Sequence, residues 1–158
     1  MNGVSYDFRI EMAQLHYYQR NYSQMIVEFL ELLNVSDVYL QQVQNYLQQA
    51  IYNDSDESLN QLLIDKLLEY SRNYPDNTVY TELLVWIYVQ DRNFPMALIQ
   101  AKSLDRRLNE DGHRVVALAR MASDNNDFDI RRAFIEGHND ISADFALGLH
   151  DRFRREQM

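Results

Sequence analysis

The side chains best able to bind a metal or move a proton are four histidines, His16, His113, His138 and His150, and 24 carboxylates. No histidine has a second one three or four residues away, and no His-Glu-x-x-His occurs, so no helix offers two imidazoles on one face. Asp54, Asp56 and Glu57 lie close enough in sequence to hold a cation. A calcium loop, however, needs a glycine at its sharp turn, and none stands there. His113 beside Asp111 reads as part of a helix start. There is no glycine-rich phosphate loop, no nucleophile elbow and no Ser/His/Asp arrangement. The chain has no cysteine, which excludes disulfides and thiolate metal sites. The expectation is a non-enzyme with no catalytic residue, no metal and no cofactor.

Composition narrows the remaining classes. The chain has 158 residues, which suits one compact unit, and 46 % are hydrophobic, enough for a continuous core and an argument against disorder. Fifteen basic against 24 acidic side chains give a net charge of −9, the wrong sign for a nucleic-acid backbone. The charge is uneven: residues 1–104 hold 6 basic and 13 acidic side chains, residues 105–158 hold 9 (all Arg) and 11. The Arg-rich end reads as a solvated face. No apolar run approaches the ~18–20 residues of a membrane span, and Met1–Asp7 lacks the form of a signal peptide. Cytoplasm, or periplasm for a processed or excised chain, both stay open. The three Asn-x-Ser sequons, at Asn21, Asn34 and Asn53, read as chance.

With only two prolines and four glycines to interrupt it, the chain shows helical periodicity throughout and no sustained alternation. Phe8, Met12, Leu15 and Tyr18 recur every three or four residues and predict the buried stripe of a first helix. Tyr22, Met25, Ile26, Phe29, Leu30 and Leu33 mark a second, and Ser36 or Asp37 can cap the third. That third helix carries Leu40, Val43, Leu47, Ala50 and Ile51, with a Gln-rich face that suits solvent. Ser58, three before Gln61, has the capping-box pattern for a fourth (Leu59, Leu62, Leu63, Leu67, Tyr70). Pro75 ends that helix, because the residue before proline leaves the helical region. Asp76, Asn77 or Thr78 can start the fifth, which carries Tyr80, Leu83, Leu84, Ile87 and Tyr88. Asn93 caps a sixth with Pro95 in its first turn, burying Phe94, Ala97, Leu98, Ala101, Leu104 and Leu108. Asp111-Gly112 is a turn. Val115, Leu118, Ala119 and Ala122 mark a seventh helix, Ala133 and Phe134 an eighth, and Ile141, Phe145, Leu149 and Phe153 a last one. Short connections make neighbouring helices antiparallel.

The helices repeat. Leu84 through Ala97 recurs loosely as Leu118 through Phe128, and Phe94 to Phe128 is an offset of 34 residues. Repeats of this size are helix pairs that bury their faces only by stacking. Leu84, Tyr88, Phe94 and Ala97 stand at the spacing that resembles the tetratricopeptide repeat (TPR). Met12, Ala13, His16, Tyr22 and Met25 resemble an earlier unit, 72 residues upstream (Tyr22 to Phe94). His16 takes an aromatic place and so reads as a core imidazole. Val85, Ala122 and Arg131 depart from the pattern. The wording from Ala101 to Gly112 is similar to bacterial TPR proteins of longer chain, which implies that residues 1–158 are one segment of a larger array. The resemblance implies an all-α fold: a right-handed superhelical stack of antiparallel helix hairpins, a TPR-like α-solenoid. Its units are 6–34, 37–74, 77–110 and 111–137, with 140–156 a capping helix.

The same resemblance implies a concave partner-binding groove lined by the first helix of each hairpin. Mapped onto this chain it takes Ile10, Gln14, Tyr17 and Tyr18; then Val79, Glu82, Leu83, Trp86 and Gln90; then His113, Val116, Arg120 and Asp124. Trp86, the only tryptophan, is either an exposed anchor or packed against the next hairpin. Tyr17 and Tyr18 are expected to divide between core and groove. Arg120 is the only basic groove residue, which does not support a clamp on a terminal carboxylate. Glu82 and Asp124 favour a neutral or basic segment. The expected function is a non-catalytic scaffold for a protein or peptide partner, with no nucleic acid and no membrane insertion. The alternative is a structural spacer, or a self-associating piece of a longer repeat protein. Alanine at a helix crossing lets two axes approach toward ~8–10 Å. Ala97→Leu should therefore lower stability by about 1–3 kcal/mol through overpacking, read as a lowered thermal midpoint; an unchanged midpoint would place Ala97 away from a tight crossing.

Overall fold

Two turns 72 residues apart have nearly the same backbone. Arg20 and Arg92 take positive φ values of 56° and 55°. Each is followed by an asparagine N-cap, Asn21 at φ −89°, ψ 70° and Asn93 at φ −86°, ψ 68°. The Asn21 side chain accepts from the Gln24 amide at 3.3 Å and the Asn93 side chain from the Met96 amide at 3.4 Å. Each thereby satisfies a donor that the helix start leaves without a partner. The arginines spend backbone energy at φ values that disfavour a Cβ, so tertiary packing must hold both turns closed.

The computed structural model describes residues 8–124. It places helices α1 (Arg9–Tyr18), α2 (Tyr22–Val35), α3 (Leu40–Tyr52), α4 (Ser58–Asn73), α5 (Val79–Gln90), α6 (Phe94–Leu108) and α7 (His113–Asp124), with a 3₁₀ turn at Asp37–Tyr39 before α3. The fold is all-α, with no strand among the described residues. The expected helix around Ala133 and Phe134, the expected capping helix 140–156 and the repeat positions Phe128 and Arg131 lie outside the described residues. The chain divides into two compact units, residues 1–91 and 92–158, with the boundary between α5 and α6.

In the first unit α2 is the helix the others cover. Met25, Ile26, Phe29, Leu30, Leu32 and Leu33 are all buried. At 100° per residue they span an arc of roughly 160°, wider than the stripe a surface helix needs. α1 packs antiparallel on one side of α2, with Arg9 bonded to Glu28 across the pair. α4 packs on another side. The Tyr70 hydroxyl of α4 donates to the Glu31 carboxylate at 2.6 Å, and the Tyr80 hydroxyl of α5 donates to the Leu30 carbonyl at 3.0 Å. The rings of Tyr70, Tyr74 and Tyr80 cluster with centroids 5.4–6.1 Å apart. α4 and α5 are antiparallel: Tyr70 near the end of one meets Tyr80 near the start of the other, and at the opposite end Asn60 donates to Asp91.

In the second unit α6 packs on α7. Asn109 at φ 56° ends α6 and Gly112 at φ 77° precedes α7. The Gly112 amide donates to Asp105 at 2.8 Å. Here the glycine supplies a conformation open to it without steric cost. Ala97, Ala101, Leu104, Val115, Leu118, Ala119 and Ala122 are buried as expected, whereas Leu108, the last residue of α6, is 40 % exposed.

Two further expectations are corrected. The periodic stripe of α1 faces outward: Phe8, Met12 and Leu15 are 65 %, 40 % and 48 % exposed, and Tyr18 is 81 % exposed on a neighbouring flank. α1 instead turns its small residue inward, Ala13 being fully buried, because a short side chain lets α1 lie close on α2. The Ser58–Gln61 capping box does not form. Asp54 reaches across the loop to accept the Leu59 amide at 2.8 Å, while the Gln61 side chain donates to Asp65.

Leu15→Gln should change stability by no more than about 0.5 kcal/mol, as a surface substitution does. Ala13→Leu should cost about 1–3 kcal/mol. Denaturant melts of both variants check the orientation of α1, and the reverse order of effects would contradict it. Burial, then the hydrogen bond to and charge of Glu31, pushes the Tyr70 phenol well above its usual range. Burial first, then the charge of Glu31, does the same for Tyr80. The native state therefore keeps protons that the unfolded chain releases above pH ~10. This contribution is fully present below that pH and is lost as pH rises past it. The thermal midpoint should fall steeply above pH ~10, and Tyr70→Phe should flatten the fall; an unaltered slope in Tyr70→Phe would remove this residue as a cause.

Candidate partner-binding face

Helices α1 and α3 are joined by two side-chain bridges. Gln14 donates its amide to the Tyr46 hydroxyl at 2.8 Å, and Asn53 donates its amide to the Tyr17 hydroxyl at 3.0 Å. Both bridges keep chain order, the earlier residue of α1 with the earlier residue near α3. The two helices therefore run side by side in the same sense; an antiparallel pair would match Gln14 with Asn53. The end of α3 (Ile51, Tyr52), Asp54 and Glu57 of the loop, the start of α4 and Asp91 after α5 line one opening of about 490 Å³. The C-terminal ends of α1, α3 and α5 thus lie along one edge of the unit, and the face above them carries the candidate groove.

Packing fixes the tyrosines of this face. Tyr46 stacks on Phe29 with centroids 5.6 Å apart and planes 15° apart. Tyr17 meets Tyr18 edge-on at 5.6 Å and Tyr22 at 6.4 Å. Between the bridges is a recess of about 30 Å³ whose floor is Ala13, Met25 and Phe29 and whose rim is Gln14, Tyr46 and Gln49. It has room for a water or a methyl group. On α3, Gln42, Tyr46, Gln49 and Asn53 fall within an arc of roughly 60° at helical spacing. No residue from Val38 to Asn53 carries a charge.

Comparisons with protein-family models, with curated proteins and with solved structures find no match. The repeat resemblance rests on the residues of this chain and on the recurrence of its turns.

The expected groove residues sort into three groups. Gln14 and Tyr17 are brought together with α3, and Tyr18 stands exposed beside Tyr17. Neither tyrosine is core, since Tyr17 is half-buried. On α5, Glu82, Trp86 and Gln90 recur every four residues along the open side, half-buried, half-buried and exposed in turn. Trp86 thus combines a packed edge with an accessible one. Val79 and Leu83 are corrected: both are buried, because α5 packs along α4 and sends Tyr80 to the Leu30 carbonyl of α2, which turns a wide arc inward. The third group, on α7 in the other unit, comprises His113, Arg120 and Asp124, all exposed, and half-buried Val116. Sequence reading missed Tyr46, Gln49 and Asn53. Their available signal was the uncharged stretch from Val38 to Asn53, which Gln content alone assigns to plain solvent exposure.

The acidic rim has structural duties. Both Asp54 oxygens accept backbone amides, of Asp56 and of Leu59. Burial raises the Asp91 pKa, and the Asn60 bond partly offsets that rise. Among the described residues no three His, Cys, Asp or Glu side chains converge on a point a metal ion could occupy. No described helix is long and apolar enough to cross a membrane.

Proposed function

We propose that this protein is a TPR-like α-solenoid segment acting as a non-catalytic interaction scaffold, and that a partner segment docks across the face of α1, α3 and α5. The observation that carries this reading is the pair of amide–tyrosine bridges. They hold α1 and α3 parallel and adjacent, the relation that first helices of successive hairpins have in a solenoid. The recurrence of the Arg-Asn turn after 72 residues supports the same repeat. Gln14, Tyr17, Tyr18, Glu82, Trp86 and Gln90 supply the docking face, with Arg120 and Asp124 of α7 belonging to a later unit.

A second reading is favoured by the outward stripe of α1. Phe8, Met12 and Leu15 form an exposed apolar strip, the surface that an additional hairpin of a longer array, or another copy, would cover. Sedimentation of the full chain tests it, a concentration-dependent dimer favouring self-association.

For the leading reading, the full chain is used as bait in lysate of its native cell, beside Trp86→Ala. The variant should lose about 2 kcal/mol of partner affinity, roughly 30-fold, while its helicity and thermal midpoint hold. Undiminished capture would take Trp86 out of the site, and a collapsed midpoint would assign the indole to the core.

A further inference from the structure

We infer that residues 38–53 are a self-association element: when α3 leaves the unit, this segment pairs with the same segment of other copies of the chain as in-register cross-β strands. Its sixteen residues hold five glutamines, two asparagines and three tyrosines among aliphatic side chains, with no charge, no proline and no glycine. Steric zippers form from segments of this composition. Asp37 and Asp54 stand at its two ends. In the helix, Val43, Leu47 and Ala50 face the core. In a strand, alternate residues share a face, so Tyr39, Val43, Leu47 and Ile51 interleave with Gln41, Asn45, Gln49 and Asn53. Stacked in register, each amide meets the same amide of the copies above and below, and each apolar side chain meets its like. A charge in the segment would set like charges about 4.8 Å apart at every level, and here there is none.

The fold holds this segment less firmly than its neighbours. α3 buries three side chains where α2 buries six. Leu40 and Ile51 are half-buried, and Val38 and Tyr52 are exposed. Its side-chain ties to α1 and α2 are the Phe29–Tyr46 stack and the two amide–tyrosine bridges, and water replaces such hydrogen bonds at small net cost. Ser36, already extended at φ −159°, ψ 129°, precedes the segment, and a loop separates it from α4. α3 can therefore open between two existing breaks as a local unit, with α2 and α4 left helical. α5 contains a more apolar uncharged run, residues 83–89. Leu83, Leu84, Ile87 and Tyr88 of that run are buried, so releasing it would dismantle the core. Availability selects 38–53.

The test incubates the full chain at rising concentration, in denaturant at the foot of its unfolding transition. Thioflavin fluorescence gives the lag time, and fibre diffraction and limited proteolysis describe the product. The expected product is a fibril with a repeat of about 4.7–4.8 Å along its axis, and its protease-resistant core, identified by mass spectrometry, contains residues 38–53. Gln48→Lys/Gln49→Lys alters two exposed positions near the C-terminal end of α3, where cations suit the helix, so the thermal midpoint should hold. The lag should lengthen about tenfold or more. That change moves the net charge of −9 two units toward zero, which by itself eases association, so a longer lag is assigned to the segment. Tyr17→Phe/Tyr46→Phe keeps both rings but removes both bridges, and should shorten the lag about threefold or more by freeing α3 more often. Absence of fibrils, or a protected core that excludes 38–53, would overturn the inference. So would a lag left unchanged or shortened by the lysine pair, or left unmoved by the phenylalanine pair.

Discussion

The burial of α2 on more than one side is the constraint that shapes the whole first unit. A helix with six large side chains removed from water across a wide arc cannot be satisfied by a single neighbour. It needs α1 on one flank and the α4–α5 pair on another. At about 25 cal/mol per Å² of apolar surface, these six side chains together outweigh the polar contacts nearby. The polar contacts then decide register. The Tyr80 hydroxyl on the Leu30 carbonyl and the Tyr70 hydroxyl on Glu31 fix where α4 and α5 stop sliding along α2. Apolar burial alone would leave that choice loose.

Covering α2 settles which surfaces stay wet. α1 is short and has one fully buried residue, Ala13. A small side chain allows close approach but buries little area, so α1 gains stability from proximity, from the Arg9–Glu28 pair and from its bridges to α3. Its large apolar side chains point away because the side against α2 has no space for them. The same geometry turns Gln14 and Tyr17 toward α3. The candidate face is thus a consequence of how α1 must sit on α2.

Local signals were legible in the sequence where the interaction is local. Asn21 and Asn93 cap helices one to three residues ahead, Ser36 accepts from Val38, and Asn77 accepts from Val79. Each needs only its own turn. The Ser58 capping box failed because Asp54, across a loop, competed successfully for the helix start, and nothing in the spacing ranks the two. The face of α1 was misread because hydrophobic periodicity reports where apolar side chains lie, not which side a neighbour needs small. Val79 and Leu83 were assigned to a groove by a repeat pattern in which one face of α5 stays open. Here α5 spans two partners and closes part of it. The contribution of α3 is missed because its glutamines, asparagines and tyrosines signal neither core nor charge.

A neutral stretch at α3 on a chain of net charge −9 divides recognition by distance. At physiological salt, fields from the surface carboxylates fade within about 8 Å. They contribute little direction to a ligand already in contact. Contact selectivity must then come from short-range groups with fixed geometry, and on α1 and α3 these are amides and phenols held by ring packing. An ion pair there would add strength only after two charges had been stripped of water, and it would change with salt. Paired donors and acceptors exchange water for complementary polar groups at nearly balanced cost. The discrimination arises chiefly when a ligand cannot complete the pairing and leaves a polar group unmatched.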